Sequence, residues 1–119
     1  MYASHALRPE EHAVFGADKM GKSTIFRSDR ILVGLNCFEA GQEHRLHTHA
    51  GQDKVYHVLS GAGLFVLDDE EIAMTAGTML IAPEGVAHGI RNTGEGRLIV
   101  LAMLAPAPER ASSGAATII

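Results

Sequence analysis

The sequence predicts an all-β jelly roll with little helix, and three observations carry that expectation. Gly, Pro and short polar clusters cut the chain roughly every 6–12 residues, the rhythm of a sandwich or barrel. The segments between the cuts are rich in Val, Ile, Leu, Thr and Phe. Helical periodicity is weak throughout.

Strands are expected at residues 23–27, 31–38, 55–60, 63–67, 71–75, 78–82, 88–91 and 97–104. Turn signals separate them: Ser28-Asp29, Ala40-Gly41, Ser60-Gly61, Asp68 to Glu70, Ala76-Gly77, Pro83-Glu84-Gly85 and Asn92 to Gly96. Strands of this number and length suit a double-sheet jelly roll. Residues 1–22 read as an N-terminal arm, 23–105 as the barrel domain and 106–119, a Pro, Ala and Ser tract, as a flexible tail. The first eleven residues carry no pattern and are expected to pack on a partner subunit. Residues 39–54 are polar and histidine-rich, and no strand is assigned within them.

The chain has 119 residues, enough for one domain and its core. With a net charge of −4 and no basic patch, nucleic-acid binding is not expected. The apolar run 98–105 is far short of the ~20 residues that span a bilayer, and residues 1–10 lack the apolar stretch of a secretory signal. No membrane association and a cytoplasmic location are expected. Cys37 is the single cysteine, so it makes no internal disulfide and reads as a buried thiol.

Residues 16–23 match the phosphate-loop pattern G-x4-G-K-[ST] through Gly16, Gly21, Lys22 and Ser23. That loop works between a strand and a helix whose N-terminus cradles phosphate. Here the residues after Lys22 are strand-like, so the match reads as a Gly-rich connector.

Seven histidines in so short a chain are the compositional oddity. His47 and His49 stand at i and i+2, so in an extended chain they share a face with Cα atoms about 6.5–7 Å apart. Two imidazoles so placed can converge on one ion. Further on, the Pro83-Glu84-Gly85 turn reverses the chain, so that His88 can point back toward that face. The pattern resembles the two motifs of the cupin superfamily, G-x5-H-x-H-x(3,4)-E-x6-G and G-x5-P-x-G-x2-H-x3-N. Gly41, His47, His49 and Gly61 match the first; Gly77, Pro83, Gly85, His88 and Asn92 match every fixed position of the second. The resemblance implies the cupin-type double-stranded β-helix and one divalent metal ion held by His47, His49 and His88, with iron, manganese, nickel and zinc all open.

One departure is chemical. Lys54 stands where the first motif has its glutamate ligand. An ammonium group has no lone pair for a metal, although burial and a nearby cation lower a lysine's pKa. Asp53 or Gln52, turned inward by a bulge, is the alternative fourth ligand. Fewer anionic ligands leave the ion a stronger Lewis acid with open positions. The resemblance implies a metal-dependent enzyme on a small organic molecule, a dioxygenase-like oxidoreductase or an isomerase or lyase, with Lys54 and Tyr56 contacting the substrate. The alternative is a cupin that binds a ligand or metal without turnover. His44 and His57 are expected at the surface or beside the ligands. A homodimer is expected, with residues 23–38 offering apolar surface.

Overall fold

The computed structural model describes residues 5–48 and 50–109. Among the described residues a short 3-10 helix (Pro9–His12) precedes nine strands: β1 (Gly21–Arg27), β2 (Leu32–Phe38), β3 (Glu43–His47), β4 (Asp53–Ser60), β5 (Ala62–Leu67), β6 (Glu71–Thr75), β7 (Met79–Ala82), β8 (His88–Arg91) and β9 (Leu98–Ala105). They form two antiparallel sheets, β1-β2-β9-β4-β7 and β3-β8-β5-β6. This is a jelly-roll sandwich, as the strand rhythm predicts.

The core lies between the sheets, and period-2 alternation decides what enters it. On β4, Lys54, Tyr56 and Val58 are buried, while Val55, His57 and Leu59 lie on the other face. Val100, Ala102 and Leu104 of β9, Leu32 and Phe38 of β2, Phe65 of β5, Met74 of β6 and Ile90 of β8 complete the interior. A smaller cluster sits on the outer face of the larger sheet, where Ala13 and Phe15 cover Leu35, Cys37 and Ile99. Part of the N-terminal arm therefore packs on its own sheet. Much of the apolar surface expected in residues 23–38 is covered this way, and the exposed apolar side chains of the sheet's outer face include Met79 and Ile81 on β7.

Each expected strand is present, with ends moved by a residue or two. β3 is the addition. It lies inside the polar stretch, where its inward positions carry histidines instead of aliphatic residues. The phosphate-loop look-alike runs directly into β1, with no helix after it. Gly21 is required there for a different reason: a Cβ at this position would stand 2.0 Å from the Val14 carbonyl oxygen. Beyond β9, Ala107 packs against the core and Arg27 donates to the Pro108 carbonyl. Residues 110–119 of the expected tail lie outside the described residues.

Candidate functional site

His88 opens β8, immediately after the turn at Pro83 and Gly85, where Val86 N–H donates to the Pro83 carbonyl at 3.1 Å. The side chain is 1% exposed. Its partner across the ladder is His47, the last residue of β3. Their ring centroids are 4.3 Å apart. Each ring is held alike: His47 Nδ1 bonds the Arg45 carbonyl at 2.7 Å, and His88 Nδ1 bonds the Val86 carbonyl at 2.9 Å. A carbonyl accepts only, so Nδ1 carries the proton in both and Nε2 keeps its lone pair.

β3 reaches this position through a bulge. His44 pairs with Ile90 and His47 with His88, so three steps along β3 match two along β8. In a regular strand residues three apart face opposite ways. The extra residue cancels that, and the His44 and His47 rings lie 4.2 Å apart. The bulge fits only because Gly89 stands opposite. A Cβ there would meet the His44 carbonyl oxygen at 2.7 Å and the Leu46 nitrogen at 3.0 Å.

Lys54 and Tyr56 approach from β4 and are both fully buried. Lys54 Nζ lies 4.8 Å from the centroid of the Tyr56 ring. Tyr56 meets His88 edge-on at 5.8 Å, and Phe65 stacks on His88 at 6.1 Å. Burial shapes the protonation of all these groups. It pushes His88 down to about 4 and lowers His47, with Lys54 adding repulsion to each. Burial first, then repulsion from charge on His47, Lys54 and Lys22, pushes His44 down to about 2. Burial first, then repulsion from Lys22, brings Lys54 down to about 7. The Tyr56 hydroxyl is raised by burial and stays protonated. The imidazoles are therefore neutral near pH 7, the form that ligates metals.

The expected residues divide clearly. His47, His88, Lys54 and Tyr56 come together; His49 lies outside the described residues. Asp53 is exposed, and its Oδ1 accepts from Glu84 N–H at 3.0 Å, so regular alternation turns it away from the site. Gln52 is half-buried in the loop before β4. The β4–β9 register runs regularly from Asp53 to Val58. His57 is on the outer face, opposite Met79 and Leu101. His44 was expected outside the site or beside the ligands, and the bulge sets it directly against His47. Lys22, set aside with the phosphate-loop pattern, acts electrostatically on His44, His47 and Lys54 from β1. Its position was not legible without the β1–β2 register. Alternation from an inward His44 would have turned His47 outward, so only the paired strand reveals both.

The donor set fits a divalent cation in its chemistry: two neutral imidazoles, each anchored through Nδ1 to a backbone carbonyl, which fixes ring direction and leaves Nε2 for a metal. Among the described residues no group of three His, Cys, Asp or Glu side chains forms a metal cluster by itself.

A family model described as "Cupin domain" matches residues 34–104. The chain belongs to the cupin family. An oxalate-binding protein of Thermotoga maritima is 33% identical over 88 residues, covering 74% of this chain and 72% of the relative. A Thermus thermophilus protein of known structure superposes on this cupin with a TM-score of 0.83 at 32% identity, covering 88% of this chain and all of that one. A predicted oxalate decarboxylase from Thermotoga maritima superposes with a TM-score of 0.74 at 21% identity, covering 84% of this chain and 97% of the other, a likeness of fold alone. Among the described residues no helix is long and apolar enough to cross a membrane.

Proposed function

We propose that this cupin is a metal-dependent enzyme acting on a small organic acid, with His47, His49 and His88 holding one divalent ion. The observation that carries the reading is the His47–His88 ladder pair, whose Nδ1 atoms are both committed to backbone carbonyls. Lys54, with Lys22 acting on it, offers positive charge to an anionic ligand, and a bound anion would in turn favour the protonated form of Lys54. When bound, the ion would polarise a carbonyl or carboxylate oxygen of that ligand. Lys54 and Tyr56 are set beside the ligand pair, so the Tyr56 hydroxyl can orient the substrate's oxygens by donating a hydrogen bond, and Lys54 can move a proton at its carbon or oxygen. Proton-carrying neighbours suit isomerase or lyase chemistry better than oxygen activation. A second reading, capture of the acid without turnover, is favoured by the oxalate-binding relative.

The test combines metal analysis of the purified protein with calorimetry and turnover assays using oxalate and other small carboxylates. Stoichiometric metal that is lost in His47→Ala and His88→Ala, with carboxylate binding lost alongside it, supports the site. Carboxylate consumption by the metal-loaded protein supports the enzyme, and saturable binding without consumption supports capture. A folded His47→Ala/His49→Ala/His88→Ala variant that keeps its ion would overturn both.

A further inference from the structure

Two acidic side chains that the metal reading leaves unused tie the two motif regions to each other. The β4–β7 ladder runs from the His57–Met79 pair to the Lys54–Ala82 pair. Its next step would set Asp53 against Pro83, and a proline has no N–H to give a ladder. Side chains take over at that point. Glu84 N–H donates to Asp53 Oδ1 at 3.0 Å, and Gly51 N–H donates to Glu84 Oε2. Each segment thus offers an amide to a carboxylate of the other, and both bonds are charge-assisted.

Chain order shows what these bonds join. Gly51 follows His49 by two residues, and Asp53 opens β4 just before Lys54. Glu84 sits in the turn four residues ahead of His88. Packing does not lock the two segments together. A Cβ at Gly51 or Gly85 would meet nothing within 4 Å, and Ala50, Gly51, Asp53, Glu84 and Gly85 are all exposed. Hydrogen bonds at such a surface contribute little to global folding, because water competes for both partners. What they govern is local opening, whose cost is set by the few contacts that an exposed segment makes.

We propose that Asp53 and Glu84 are positioning residues, a two-bond latch that holds the segment after His49 against the turn before His88 and so sets how long the metal ion is kept. The inference rests on the function proposed above, and it gives neither carboxylate any contact with the ion. An ion held by side chains from separate segments escapes when one segment swings away, so the latch acts on the release rate. Asp53, expected as an alternative fourth ligand, serves the centre through the backbone of Glu84 instead.

The experiment loads the full-length protein with Co2+, a spectroscopic stand-in for the divalent ion, and follows its loss to excess chelator by visible absorption. The unfolding temperature of the metal-free protein is the second readout. Glu84→Ala and Asp53→Ala should each release Co2+ about tenfold faster than wild type. Their metal-free unfolding temperatures should stay within about 2 °C of wild type. Glu84→Gln should release Co2+ at close to the wild-type rate, because its amide oxygen still accepts from Gly51 N–H and only the charge is gone. The Co2+ spectra of both alanine variants should match that of wild type, since neither carboxylate is a ligand. Release at the wild-type rate in both alanine variants overturns the proposal, as does a Glu84→Gln protein that loses Co2+ as fast as Glu84→Ala. An altered spectrum in Asp53→Ala also overturns it, by making that carboxylate a ligand. So does a metal-free unfolding temperature that falls in step with faster release, which marks a merely structural pair. Wild-type protein that takes up no Co2+ overturns the parent reading together with this one.

Discussion

The two motif regions are built by opposite means. From β7 to Asn92, local turns do the placing. The Pro83–Gly85 turn leads straight into His88, and Asn92 ties three backbone groups, donating to the Phe38 and Gly96 carbonyls and accepting from Gly94 N–H. From β3 to Lys54, placement is tertiary. A bulge held against Gly89 turns His44 and His47 to one side, and a fully buried lysine occupies the expected carboxylate position. Local geometry can be read from a motif, whereas a bulge depends on the strand across from it.

The β3–Lys54 region should break or improve more dramatically when altered. Lys54→Met is the largest expected effect. Removing a charge-bearing group from the interior should stabilise the metal-free protein by several kcal/mol near pH 7, read by urea unfolding. The sign also sets a pH signature. With Lys54 held at about 7 against an ordinary 10.5, the unfolded chain binds the extra proton between those values. Stability should therefore rise with pH across that window, be lost as pH falls toward 7, and become flat there in Lys54→Met.

Gly89→Ala comes next. A methyl group pressed on the β3 backbone should lower stability by about 2–3 kcal/mol and weaken metal retention, because it pushes β3 and His47 away from His88. In the β7–Asn92 region, Asn92→Ala should destabilise by about 2 kcal/mol, since the buried Phe38 carbonyl loses its donor. Its metal content should fall less than that of Gly89→Ala at matched stability; an equal fall would mean that both regions hold their histidines by the same tertiary route. Gly85→Ala is the mildest. Its φ of +80° disfavours a Cβ, but nothing lies within 4 Å, so strain alone of about 1 kcal/mol should appear in the unfolding free energy.

Much of this molecule was legible before any coordinate. The β8 segment 88–91 was read to the residue, because a turn with Pro and Gly precedes it and a polar Asn92 follows. β3 was not, since its inward side chains are imidazoles and its alternation is broken at residues 45 and 46. Asp53 reads as a possible ligand only by assuming a bulge beside it in β4; the irregularity of β4 lies at the strand's far end, between Val58 and Ser60. Lys22 carried a loop signature whose meaning vanished once Gly21–Arg27 proved to be a strand.

The order of hydrophobic and turn residues by itself determined the all-β class, the strand rhythm and the two motifs, because these depend on neighbours in the chain. The tertiary structure alone decided that His44 joins His47, that Lys22 and Asn36 share an inner row, and that Asp53 looks away. Those outcomes follow from register, and register is set by which strands pair and where one residue is left over, a choice made across the sheet and invisible along it.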